Sequence, residues 1–220
     1  CEKPLFNKFY IFKPKKNKFY VAYNFRFHEC LVYIKKKIDL NKAFFIEAET
    51  SSFLPLWRKN TDYSKSYSAF PSKGGGVLLD MSHELDYLKW LFPNLRVSKI
   101  YENKISNLDI FSNDIALVLG HINRNTFFKI KLTYFNKLPR RYLSICLMDG
   151  TQLYIDLLNS KIKLLMKNKT KIFQLKKYSQ FETTKKIYSR ILRNNFKDVC
   201  TLKEGLAILK QIKKSKKINF

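Results

Sequence analysis

The stretch Phe128-Lys129-Ile130-Lys131-Leu132-Thr133-Tyr134 alternates apolar and polar residues at almost every step. A period of two places Phe128, Ile130, Leu132 and Tyr134 on one face of a strand and the two lysines on the other. Outward from it, strand-like runs lie at 97–103, 114–122, 141–148, 151–158 and 161–166. Asp149-Gly150 reads as a tight turn between two of them. Successive strands joined by short turns predict a large, mostly antiparallel open sheet. In 114–122 both alternating sets are apolar, Ile115, Leu117 and Leu119 against Ala116 and Val118. Such a strand wants cover on both faces. Helices supply one cover, and a second subunit is expected to supply the other, so a homo-oligomer through the sheet is predicted.

The flanking segments supply the helices. Phe27, Leu31, Ile34 and Ile38 recur three to four apart, which predicts an amphipathic helix over 26–38. Residues 43–50 read as a strand, with Phe45 and Ala48 set against Glu47 and Glu49. Residues 51–76 are polar, aromatic and loop-like, and end in Gly74-Gly75-Gly76; loops this long are more often functional than idle. Residues 77–92 read as a second helix closed by Pro93. The tail, 181–217, reads as helical, with Thr201 as N-cap and Glu204 at the capping-box position. Residues 1–25 read as an extended piece, a basic stretch at 13–18 and a strand at 19–23. The class is α+β, with helices packed on one face of the sheet.

The 220 residues are 45% hydrophobic and 15% aromatic, enough for a sizeable core and against wholesale disorder. No run approaches the roughly 18 apolar residues of a membrane span. Residues 1–20 interleave aromatics with lysines and do not read as a secretory leader. Cys1, Cys30, Cys146 and Cys200 have no zinc or redox spacing; reduced thiols, no metal site and a cytoplasmic location are expected. The balance of 43 basic and 17 acidic residues gives +26, but 35 of the 43 are Lys and eight are Arg. Readers of phosphate and bases favour the Arg fork. Together with abundant Asn, Ile, Phe and Tyr, this composition fits a drift towards A/T-rich codons. Diffuse charge is therefore expected, with no specific nucleic-acid partner and no membrane partner. The six glycines form no G-x-G-x-x-G and no phosphate loop, so these residues encode no nucleotide-phosphate cradle.

One segment carries a candidate constellation: Gly74-Gly75-Gly76-Val77-Leu78-Leu79-Asp80-Met81-Ser82-His83-Glu84-Leu85-Asp86-Tyr87. On a continuous helix, positions 80, 83 and 87 share a face. A carboxylate one turn from an imidazole can orient it and raise its proton affinity, which suits a general base acting on a hydroxyl. The same spacing is also met by a structural His on an amphipathic helix.

Three motifs in order carry a resemblance: the opening Cys1-Glu2-Lys3-Pro4-Leu5, then Val21-Ala22-Tyr23-Asn24-Phe25-Arg26-Phe27-His28, then the glycine–helix segment above. Together they resemble the Gfo/Idh/MocA oxidoreductases, the glucose–fructose oxidoreductase and inositol dehydrogenase relatives. The segment 53–68 resembles the branch found in bacterial surface-sugar pathways. The resemblance fades after about residue 160. It implies NAD- or NADP-dependent hydride transfer at a hydroxyl of a sugar, nucleotide sugar or cyclitol. It also implies that Glu2, Lys3 and Pro4 meet the cofactor, that Lys3 lies beside nicotinamide and substrate, and that Asp80 and His83 bind and deprotonate the hydroxyl. Arg58, Tyr67, Asn24 and Arg26 become candidate sugar or cofactor contacts. Many members space the Asp and His by four residues, whereas here the spacing is three. Residues 1–25 are then expected to be the end of a nucleotide-binding domain, and 26–220 the substrate and oligomerisation domain of a C-terminal part. Such a part is expected to be inactive alone. A non-catalytic remnant serving as a structural or binding domain is the alternative.

Overall fold

The computed structural model describes residues 1–14, 16–58 and 60–218. Lys15 of the predicted basic stretch, Lys59 of the segment 53–68 and the last two residues lie outside the described residues. The chain runs through β1 (Tyr20–Val21), α1 (Glu29–Lys37), β2 (Ala43–Phe53), α2 (Val77–Asp80), α3 (His83–Leu91) and β3 (Arg96–Asn103). It continues through β4 (Ile115–Asn123), β5 (Thr126–Thr133), β6 (Phe135–Leu147), β7 (Gln152–Asp156), β8 (Lys161–Met166) and β9 (Lys169–Gln174). Last come α4 (Gln180–Leu192), β10 (Cys200–Thr201), α5 (Leu202–Lys214) and β11 (Lys216–Ile218).

Among the described residues, one sheet of nine strands dominates, in the order β11-β3-β4-β5-β2-β6-β7-β8-β9. Pairing is antiparallel except at β2–β5 and β11–β3. The predicted alternation sets its faces. Phe128, Ile130 and Leu132 point inward with Ala116, Val118, Leu143, Ile145, Leu153 and Ile155, all buried. They pack with Leu31 and Ile34 of α1, Leu78 of α2, and Leu85 and Leu88 of α3. Fully burying an aliphatic side chain contributes about 1.5–3 kcal/mol, so this layer is the main source of cohesion. The opposite face is open. Leu117, Leu119 and Phe127 are exposed there, beside ion pairs Lys129–Glu47 at 3.0 Å and Lys131–Glu49 at 3.4 Å.

Two expectations need correction. The helix predicted over 77–92 breaks at Met81-Ser82, because Asp80 and Ser82 are each held by other elements: Tyr134 OH donates to Asp80 Oδ2 at 2.6 Å and Tyr23 OH to Ser82 Oγ at 3.2 Å. The tail is not one helix. It turns between α4 and α5 with Asn194 and Asp198 at positive φ, and it ends as a strand parallel to β3. The Thr201–Glu204 capping box does form, with both reciprocal bonds present. The loop before α2 is compact: four single 3-10 turns lie within it. The glycine run is a fitted corner, since a Cβ on Gly75 would lie 2.3 Å from the Tyr67 carbonyl oxygen, while Gly76 has φ +118. The four cysteines are free. Among the described residues, no helix is long and apolar enough to cross a membrane.

Candidate active site

The break after α2 turns Asp80 and His83 into one cleft of about 510 Å³, closed on another side by Lys3. Lys3 reaches it because the first residues are anchored. Cys1 N donates to Tyr20 O at 2.9 Å, and β1 pairs with β10. The Lys3 ammonium donates to the Asp80 carbonyl oxygen. Burial lowers its pKa, and the Asp80 and Glu84 charges oppose that.

His83 sits at the first position of α3. Its ring is partly buried against Phe25 (centroids 5.0 Å) and Tyr23 (5.6 Å). Its Nδ1 is sealed from solvent with no hydrogen-bond partner. Burial pushes the imidazole well below its ordinary pKa, and the Lys3 and Arg141 cations push it further. The expected pairing with Asp80 does not operate: that carboxylate takes the Tyr134 hydroxyl instead, and His83 is held neutral rather than raised. A neutral imidazole is a proton acceptor at physiological pH.

Of the other candidates, Arg58 lines the cleft and stacks on Tyr67, 5.1 Å from the ring centroid. Tyr67 is 40% exposed and is not part of the lining; its phenol is pushed up by burial and by Asp80. Asn24 lines the cleft and donates to the Tyr178 and Thr183 hydroxyls at 3.1 and 3.2 Å. Its Oδ1 is buried with no partner. Arg26 is a correction. It is 2% exposed, donates through Nε and Nη2 to Asp86 and through Nη1 to Glu204 at 2.8 Å, and does not reach the cleft. Glu2 is exposed, and Pro4 follows a cis peptide bond.

Sequence reasoning missed the far wall. Arg141 Nε donates to Thr50 Oγ1 at 3.0 Å, the Thr50 hydroxyl donates on to Glu84 Oε1 at 2.6 Å, and Nε lies 2.9 Å from Glu84 Oε1 as an ion pair. Its guanidinium lies 4.2 Å from the Phe25 ring centroid, and Phe25 stacks on Tyr178 at 4.8 Å. The one legible signal is Glu84, a carboxylate on the same helical face as Leu88 and Leu91, which must be paired if buried. The lining holds the cations Lys3, Arg58, Arg140 and Arg141 against the carboxylate Asp80. That local excess departs from the expected diffuse charge.

No family model matches the chain, and no curated protein matches it. Solved structures do. The UDP-N-acetylglucosamine 3-dehydrogenase GnnA from Acidithiobacillus ferrooxidans is 17% identical with a TM-score of 0.66, over 88% of this chain and 59% of that one. An inositol dehydrogenase homolog from Azotobacter vinelandii, complexed with NAD+, is 10% identical with a TM-score of 0.70, over 90% and 61%. A super-repressor mutant of Gal80p from Saccharomyces cerevisiae is 12% identical with a TM-score of 0.74, over 90% and 62%. These neighbours are of the Gfo/Idh/MocA type. At such identities the likeness establishes the fold, which is the one the motifs imply. The chain spans about six-tenths of the length of these structures.

Proposed function

We propose that this chain is the substrate-binding and catalytic part of an NAD(P)-dependent oxidoreductase acting on a hydroxyl of a sugar, nucleotide sugar or cyclitol. The surface-polysaccharide branch is the setting we favour. The observation that carries the reading is the convergence of Lys3, Asp80 and His83 on one cleft, within a fold shared with dehydrogenases. Residues 1–25 then belong to the end of a nucleotide-binding domain and 26–220 to the substrate domain.

The cofactor fits this chain at one end only. Lys3, flanked by Glu2 and Pro4, offers a half-buried ammonium beside the cleft. The glycine corner is no phosphate cradle, because Gly75 is packed against Tyr67 and Ser68. When bound, the nicotinamide supplies the hydride acceptor. The chain's own residues handle the proton. His83, neutral and facing the cleft, accepts it from the substrate hydroxyl. Lys3 lies where an ammonium steadies charge developing on that oxygen. Asp80, fixed by Tyr134, offers the hydroxyl an acceptor. Reaction at a single carbinol also explains why the lining mixes an aromatic wall, Phe25 and Tyr178, with polar groups.

The test is to join the chain to a nucleotide-binding half and assay nicotinamide-linked oxidation of UDP-sugars, free sugars and inositols. Turnover with one class supports the reading. Saturable NADH binding without turnover on any class contradicts it. That second result supports a non-catalytic binding domain, a reading favoured by the likeness to the Gal80p super-repressor. The exposed row Leu117, Leu119 and Phe127 is our candidate for oligomer formation; a strictly monomeric species by sedimentation at high micromolar concentration contradicts that part.

A further inference from the structure

We propose that the outer end of the cleft binds an acidic group of the ligand, phosphate or carboxylate, through Arg141 and Arg140, and that buried Glu84 is the positioning residue that aims Arg141. This rests on the reading that the cleft holds the substrate, and it adds a substrate class: acidic sugars or sugar phosphates rather than neutral polyols.

Three independent observations carry it. The first is the geometry of Arg141. Its single Nε–H goes to the Thr50 hydroxyl, which Glu84 fixes by accepting from it, Glu84 also pairs with Nε at 2.9 Å, and Phe25 lies against the guanidinium. Its two Nη groups have no protein partner among the described residues, and the side chain is 17% exposed. A fork with its inner edge fastened and its outer edge free presents two parallel donors, the geometry a carboxylate or phosphate accepts. The second is the shape. A separate cavity of about 340 Å³ adjoins the cleft and shares Pro139, Arg140, Arg141 and Leu158 with it, adding Lys161 and Lys163. The two arginines therefore stand where a ligand longer than one sugar ring would pass. The third is residue choice. Lys outnumbers Arg 35 to eight in the chain, yet Arg58, Arg140 and Arg141 line this one cleft. Solubility needs only charge; a planar fork is needed for bidentate recognition.

An anion seated on Arg141 also helps the chemistry. Arg141 is one of the two cations that hold the His83 proton affinity down. Neutralising it lets His83 accept a proton more readily.

The test is calorimetric titration of the 220-residue chain, at 150 mM salt, with UDP-glucose, glucuronate and glucose. Non-specific attraction to a chain of charge +26 is separated by the choice of variants. Arg141→Lys leaves the net charge unchanged and removes the fork; about a ten-fold or greater loss of anion affinity is expected. Glu84→Gln adds one positive charge, so diffuse attraction predicts tighter binding. The positioning role predicts binding several-fold weaker, with the Arg141 Nε–H resonance losing its slow-exchange signature. Arg140→Lys, at an exposed side chain, gives the same readout without touching a buried group and should cost about five-fold. The pattern with UDP-glucose alone assigns the diphosphate; with glucuronate as well, any carboxylate or phosphate. Equal affinity for glucose, an unchanged affinity in Arg141→Lys and Arg140→Lys, or tighter binding in Glu84→Gln overturns the proposal. Anion binding that follows the expected pattern, in an enzyme that transfers no hydride, leaves this inference standing and removes the catalytic one.

Discussion

Helix α3 carries two buried carboxylates, Glu84 and Asp86, each 0% exposed and each paired to an arginine. The pairs behave oppositely. Arg26 gives Nε and Nη2 to Asp86 and Nη1 to Glu204, so both of its edges are used, and it is 2% exposed. Arg141 sets only its Nε against Glu84, at 2.9 Å with the N–H going to Thr50, and leaves its outer edge facing the cleft. One pair is closed and fastens α3 to the 3-10 turn at Asn24–Phe27 and to α5. The other is open, with Glu84 Oε2 buried and unpartnered. An unsatisfied buried polar atom costs about 1–3 kcal/mol. A fold that tolerates this beside His83 Nδ1 and Asn24 Oδ1 is spending stability where a ligand is expected. Both arginines are mostly buried, and what separates them is the donor edge that Arg141 leaves unfilled towards the cleft.

The largest effect should come from breaking the closed pair. Arg26→Ala strands Asp86 in the core and should cost about 3–5 kcal/mol in urea unfolding, while Arg141→Lys should cost far less. Equal losses would erase the distinction. Next comes acid. His28 caps α1 by accepting from Cys30 N–H at 3.2 Å, so its Nε2 carries the hydrogen donated to Leu157 O at 2.9 Å. Burial first, with Arg141 adding, depresses it to about 4. A ring that is neutral when folded and binds protons near 6.5 when unfolded gives stability that is whole above pH 6.5 and falls as pH drops towards 4. The full loss is about 3 kcal/mol. His83 adds in the same direction, so urea midpoints should fall steeply between pH 6.5 and 4. His28→Asn, which keeps an N-cap, should flatten that slope in part; an unchanged slope would contradict this. Gly76→Ala should cost about 1–3 kcal/mol through φ alone, since a Cβ there meets nothing closer than 3.9 Å. It tests whether the corner that delivers Asp80 is rigid. The smallest effect belongs to the open sheet face. Lys129→Ala should change stability by less than about 1 kcal/mol, being an exposed pair.

How much of this was legible follows from the range of each interaction. The alternation in 128–134 and the Asp149-Gly150 turn are local, and the sheet face and hairpin follow from them. The parallel β2–β5 and β11–β3 pairings join distant segments, and nothing local encodes them. Strand β9 went unread because Lys169, Thr170, Lys171 and Ile172 are all exposed, leaving no buried alternation to see. The continuous helix read over 77–92 failed because its apolar period persists through Met81, while the break is imposed by Tyr134 and Tyr23 from other elements. Of the candidate site, the ordered motifs point to Lys3, Asp80 and His83, which the fold brings to one cleft. They do not point to Arg141, because its partner lies on another element and an isolated Arg-Arg on a strand looks like surface charge. Arg26 was misread for the converse reason: it sits within a motif, yet its partners Asp86 and Glu204 are remote in sequence.

The most direct measurement is His83→Ala in the chain joined to a nucleotide-binding half, with turnover and unfolding midpoint measured together. Turnover should fall by about 10²-fold or more, the usual worth of a general base. At pH 7 the midpoint should fall only modestly, because the packing lost against Phe25 and Tyr23 is set against removal of the unpartnered Nδ1. Turnover within two-fold of the parent, or a midpoint that collapses along with turnover, would show His83 to be a packing residue and not the base.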